Sequence, residues 1–197
     1  MNSSARSYRY RAAPRPAPPR RRGSYLPGLL MLAGVCIVAA TFSGKPKPSP
    51  KLSDAGPNTL TDVRVVDGDS LRSADRNIRL VGIDAPERNQ TCRDGRNRDW
   101  ACGAAAAARL TELIGRGPVT CTPKGHDRYG RTLAVCAAGA VADLGQVLVR
   151  EGYAVNYSFD DDGYAEAEQE ARMSGRGLWQ GAFERPQDWR RRHAQAG

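Results

Sequence analysis

Histidine is almost missing from this sequence, with only His126 and His193 among 197 residues. The five cysteines form no C-x2-C pair. Lacking paired thiols and clustered imidazoles, the chain does not carry the donors of a structural zinc site. No internal repeat is visible, and the length suits one domain with a real core plus appendages. Acidic residues are absent from residues 1–24, which hold seven arginines. Charge of either sign is absent from residues 25–42, "YLPGLLMLAGVCIVAATF".

These gaps divide the chain. Residues 1–24 read as a basic, Arg/Pro-rich tail. Residues 25–42 read as a transmembrane anchor or a signal segment, with Val38 and Ala40 forming a small-residue cleavage signature. The arginine excess ahead of this run predicts that the tail stays cytoplasmic and that the C-terminal domain is exported. That domain would face the periplasm or extracellular space on its membrane anchor, or be secreted if the run is cleaved. Residues 43–57, with "KPKPSPKLSDAGP", have no apolar period and read as a Pro/Lys linker. The domain is then residues 58–197. The formal charge of the whole chain is +9, but the domain holds 20 basic and 20 acidic side chains. Any grip on nucleic acid must therefore come from local placement of charge.

Export also accounts for the cysteines outside the apolar run, Cys92, Cys102, Cys121 and Cys136. Cys121 and Cys136 lie on two apolar runs about a turn near Arg128 and Tyr129, where antiparallel pairing sets them opposite one another. The expected pairs are Cys121 with Cys136 and Cys92 with Cys102.

The element order is that of a small α+β domain. "DVRVVDGDSLRS" predicts two strands about an Asp-Gly turn, and "IRLVGID" a third. "WACGAAAAARLTELI" favours a helix with Ala106, Leu110, Leu113 and Ile114 as its apolar stripe. "PVTCTP" and "RTLAVCAA" predict a further strand pair, Asp143 an N-cap, Tyr164 to Met173 a helix, and Pro186 the start of a short last one. Five strands with helices inserted and appended would protect their edges by closing into a barrel.

Three stretches carry polar residues that such a barrel does not need: Asp67 and Asp69 at the turn, Arg79 with Asp84 and Glu87 around one strand, and Arg131 after "DRYG". Each has a plain reading as turn chemistry, a helix start or a solvated strand residue. Arg79 resists that reading, because an arginine inside an apolar strand costs free energy unless something anionic pairs with it. Carboxylates from separate loops are the usual way to hold a hard cation such as Ca2+, and arginine forks match phosphate oxygens. Strict alternation points Arg79 and Asp84 to opposite faces, so a shared site requires an irregularity, with Gly82 the natural place.

"VVDGDSLR", "IRLVGIDAPER" and "DRYGRTLAV", in this order, closely resemble the staphylococcal-nuclease-like, or thermonuclease, family. The resemblance covers about Asp62 to Trp179. It implies an OB-fold, a five-stranded barrel with about three helices, and Ca2+-dependent cleavage of DNA and RNA to 3'-phosphate products by a monomer. Carried over by position, it makes Asp69 and Asp84 calcium ligands with the Ala85 carbonyl, and Asp67 a supporting acid. It makes Glu87 the general base, Arg79 and Arg131 the phosphate-binding arginines, and Tyr129 with Arg128 part of the nucleotide pocket. Two other uses of such a domain remain: a non-catalytic nucleic-acid or protein module, and a Ca2+-stabilised scaffold.

Overall fold

A computed structural model of the chain describes residues 57–157 and 163–193. The basic tail, the apolar run and the linker up to Gly56 lie outside the described residues, and so do the expectations of an anchor, a signal or a tether. Among the described residues, no helix is long and apolar enough to cross a membrane.

The expected hairpin is present. β2 (Val63–Asp67) and β3 (Ser70–Ser73) run antiparallel with Asp67 opposite Ser70, after a short strand β1 (Asn58–Leu60). The need for glycine in this turn is steric. Gly68 does not adopt the left-handed backbone expected of an Asp-Gly turn, but a Cβ there would lie 2.7 Å from the Cβ atoms of both Ala85 and Ala106. The predicted third strand is broken in two, β4 (Arg76–Leu80) and β5 (Ile83–Asp84), and the break falls at Gly82, where φ is +78°.

α1 (Cys102–Ile114) buries Ala106, Ala107, Leu110 and Ile114 along one stripe, with Leu113 at its margin. The next strand pair is β8 (Val119–His126) and β9 (Thr132–Ala138), in which Cys121 faces Cys136. Both expected disulfides are present: Cys121–Cys136 across this ladder, and Cys92–Cys102. α2 (Leu144–Arg150) is capped as predicted, the Asp143 carboxylate accepting from the Gln146 N–H at 3.1 Å. α3 (Ala165–Met173) and α4 (Pro186–His193) come next, with a turn of 3-10 helix at Gly177–Gln180 between them.

The main sheet is mixed and has six strands, in the order β1-β8-β9-β4-β3-β2. β4 and β9 are parallel, and every other neighbouring pair is antiparallel. No ladder joins β2 back to β1, so among the described residues the sheet curls as a half-barrel and does not close. The architecture is α+β of OB-fold type, with four α-helices among the described residues and one more strand in the main sheet than expected. Strands of two or three residues escape any periodicity: β1, the pair β6 (Cys92–Arg93) and β7 (Asp99–Trp100), and β10 (Val155–Asn156), which pairs with β5. Leu60, Leu71, Ile78, Leu80, Leu110 and Leu148 are fully buried between the sheet and the helices.

Candidate active site

The β2–β3 turn, the end of β4 and the short β5 converge on one polar cluster beneath the N-terminal half of α1. Arg79 is on β4, one strand away from the turn, since it pairs with Ser70. Its guanidinium forks, donating from Nη1 to Asp69 Oδ1 at 2.7 Å and from Nη2 to Asp84 Oδ1 at 2.8 Å. Asp84 is completely buried and Asp69 nearly so. The irregularity at Gly82 brings Arg79 and Asp84 together despite their odd separation, as a shared site requires. Each bond is charge-assisted, and with both carboxylates buried the loss of this shared guanidinium would leave uncompensated charge.

Asp69 is held on all sides. Its Oδ1 also accepts from Ser70 Oγ at 2.9 Å, and its Oδ2 accepts the Ala85 N–H at 3.0 Å. Asp67 stands behind it and accepts the Asp69 N–H at 3.1 Å, so its observed part is to fix the turn. Burial pushes the Asp69 carboxyl up to about 7; Arg79 opposes that shift and the nearby Asp67 charge adds to it. One arginine does not supply all the positive charge that these acids call for.

Glu87 follows Pro86 on a turn pressed against the first turn of α1. A Cβ on Gly103 would come within 1.7 Å of the Glu87 carbonyl oxygen, so only glycine allows this approach. Gln90, buried, secures the turn: its Oε1 accepts the Glu87 N–H at 3.3 Å, and its own N–H donates to the Glu87 carbonyl at 2.7 Å. The Cys92–Cys102 disulfide lies alongside, with the Gly103 N–H donating to the Gln90 carbonyl at 3.2 Å. The Glu87 carboxylate is partly open to solvent, its side chain 29% exposed.

Its partner is a residue that no motif indicated. Arg190 of α4 donates to Glu87 Oε1 at 2.9 Å from Nη1 and to Asp84 Oδ2 at 3.1 Å from Nη2, with Nη1 also 2.9 Å from Asp84 Oδ1. Arg190 lies more than a hundred residues beyond Glu87 and sits in an Arg-Arg-Arg run that reads as a solvated charge cluster. Nothing local distinguishes it from Arg191 or Arg192.

The remaining expected residues are elsewhere. Arg131 precedes β9, whose Thr132 pairs with Ile78, the neighbour of Arg79. Its guanidinium does not join the acidic cluster; Nε donates to Asp127 Oδ2 at 2.7 Å. Although burial pushes the Asp127 carboxyl up, hydrogen bonds from the Arg131 side chain and backbone and from the Tyr129 N–H outweigh it and hold the group below the usual range. Tyr129 stands at the hairpin tip, 70% exposed, with the Arg128 guanidinium 4.8 Å from its ring centre and donating to its hydroxyl at 2.7 Å. Among the described residues no three His, Cys, Asp or Glu side chains are grouped closely enough to form a ready-made metal cage.

Comparison with known proteins places the chain among nucleases and their relatives. A micrococcal nuclease of Shigella flexneri is 35% identical over 147 residues, covering 66% of this chain and 78% of that protein. An uncharacterized endonuclease of Haemophilus influenzae is 33% identical over 143 residues, covering 68% of this chain and 74% of that protein. The succinoglycan biosynthesis protein ExoI of Rhizobium meliloti is 37% identical over 117 residues, 58% of this chain and 61% of that protein, so the chain spans less than two thirds of it. Residues 77–181 match the staphylococcal nuclease homologue family, a stretch that starts after Asp67 and Asp69 and ends before Arg190. With more than half of its length matched, the chain belongs to the staphylococcal nuclease homologue family.

Proposed function

We propose that this protein is a Ca2+-dependent, sugar-non-specific nuclease that hydrolyses phosphodiesters in DNA and RNA to products ending in a 3'-phosphate. The observation that supports it best is the buried pair Asp69 and Asp84, from the β2–β3 turn and β5, joined through one guanidinium beside a partly exposed third carboxylate. Asp69, Asp84 and Glu87 share two guanidiniums, Arg79 and Arg190, with Asp67 behind them, so the acids formally outnumber the arginines and leave an excess of negative charge. A divalent cation balances that excess, and a donor set made only of oxygens suits Ca2+.

Asp69 and Asp84 would hold the cation, with the Ala85 carbonyl contributing and Asp67 fixing the turn behind. When bound, the cation supplies Lewis-acid polarisation of a phosphate oxygen. Glu87, unlike the buried Asp69 and Asp84, is open enough to take a proton from a water. Arg79 neutralises charge on the phosphate from the floor of the site, and Arg131 does so after leaving Asp127. Tyr129 and Arg128, at the exposed tip, meet the nucleotide. The protein acts as a monomer, exported and anchored through residues 25–42, or secreted where that run is cleaved.

The deciding experiment incubates the purified chain with single-stranded DNA and with RNA, in calcium or in chelator. Digestion only in calcium is expected, and Glu87→Gln should lower turnover by about two to four orders of magnitude while folding persists. Binding without digestion would identify a nucleic-acid module. Neither binding nor digestion would leave a scaffold.

A further inference from the structure

Arg190 lies outside the family match and outside every motif, yet its guanidinium touches two of the three carboxylates around which the proposed chemistry is built. It is not a frayed end. α4 begins at the buried Pro186, and just before it the Glu184 carbonyl accepts from Gln90 Nε2 at 2.8 Å. Gln90 is the same buried side chain that secures the Glu87 turn, so α4 and Glu87 share one anchor.

Arg79 and Arg190 differ in depth. The Arg79 side chain is 15% exposed and closes the floor of the cluster, whereas that of Arg190 is 36% exposed and forms its rim. A phosphodiester arriving from solvent meets Arg190 first. Asp84 gives both of its oxygens to Arg190 and one of them to Arg79 as well, so a cation held by Asp84 would compete with Arg190 for those oxygens. Of the two guanidiniums on Asp84, Arg190 is the more exposed and so the one that would yield. Tethered by α4 and by Glu87, it would stay at the same rim, free to meet an incoming phosphate.

We propose that Arg190 is a third phosphate-binding guanidinium, delivered to the site by the C-terminal helix α4 and parked on Asp84 and Glu87 until nucleic acid binds. This inference rests on the nuclease reading. The alternative is a purely structural ion pair, whose loss would lower stability without a specific effect on nucleic-acid affinity.

The test uses the full chain carrying Glu87→Gln, so that DNA is bound with little turnover, and compares it with Glu87→Gln/Arg190→Ala and Glu87→Gln/Arg190→Lys. Binding of a short fluorescein-labelled single-stranded DNA is followed by anisotropy in calcium across a series of salt concentrations, with circular dichroism as the folding control. Arg190→Ala should weaken binding about tenfold, because a charge-assisted fork is lost. The slope of log affinity against log salt should become shallower by about 0.7, the release expected for one single-strand phosphate contact. Arg190→Lys should keep the slope and recover only part of the affinity. Unchanged affinity and slope in a folded Arg190→Ala protein would overturn the proposal; should that variant not fold, unchanged affinity in Arg190→Lys would do so. If the parent binds no DNA at all, the nuclease reading falls and this inference with it. If the parent binds and the alanine variant binds equally well, only the role of Arg190 is lost.

Discussion

The two arginines singled out by sequence are held in opposite ways. Arg79, on β4, is locked between Asp69 of the β2–β3 turn and Asp84 of β5. Arg131 is held by Asp127, four residues away in its own hairpin, and stands next to the exposed Tyr129. The first region is built before any substrate arrives, and its geometry belongs to the fold. The second is set by neighbours in sequence, so it can be re-aimed without disturbing the core. Under the proposed function, a site with one rigid wall and one adjustable wall would fix where the chemistry takes place while accepting substrates of different shape.

The sharpest way to break this comparison is to remove each guanidinium in turn. Arg79→Ala should abolish measurable digestion, a loss of about three orders or more. It should also lower the unfolding free energy by about 3 kcal/mol, because the buried Asp69 loses its guanidinium partner and the buried Asp84 one of two. Arg131→Ala should cost a similar factor in turnover, yet change stability by less than about 1 kcal/mol. Urea unfolding and DNA digestion on the same preparations measure both; equal stability losses would show that the two walls are not different in kind.

The disulfides sharpen the same contrast. Replacing either pair by serines should cost about 2–4 kcal/mol by releasing a closed loop. Only loss of Cys92–Cys102 should also depress digestion at a temperature where the protein stays folded, since that bond lies against the Gln90 and Glu87 turn. If loss of Cys121–Cys136 is equally harmful to activity, the turn is not what the first bond supports.

A smaller effect concerns pH. With the Asp69 carboxyl raised from 3.8 to about 7, the folded, calcium-free protein binds a proton there that the unfolded chain has given up, so this group's contribution to stability falls as pH rises between those values. Melting curves should show that decline relative to Asp69→Asn, and calcium should diminish it. A parallel pH dependence in both proteins would remove Asp69 as its source. Smallest of all, Tyr129→Ala should leave folding unaltered and raise KM about fivefold, the lower end of a base-stacking contribution. An unchanged KM would leave the tip without a role.

Much of this organisation was legible in the chain. The Asp67-Gly68-Asp69 turn, the Asp143 cap, the break at Gly82 and the pairing of Cys121 with Cys136 all obey rules that act over a few residues or along one ladder. The carboxylates and Arg79 could be named because an arginine in an apolar strand demands a partner. β1, β6, β7 and β10 could not, being too short to show a period. The opening between β1 and β2 depends on how far the sheet curls, which no local pattern encodes. Arg190 was invisible for the same reason: its selection from three adjacent arginines is made by the docking of α4 onto Gln90, a contact between distant parts of the chain.

The methyl groups missing from Gly68 and Gly103 have a consequence for how this protein can fail. An ordinary alanine at either place would drive a wedge between α1 and the loops that present the acids. Such a variant would keep every ionisable group it started with and still be disarmed, so a survey that looked only for altered charges would miss it.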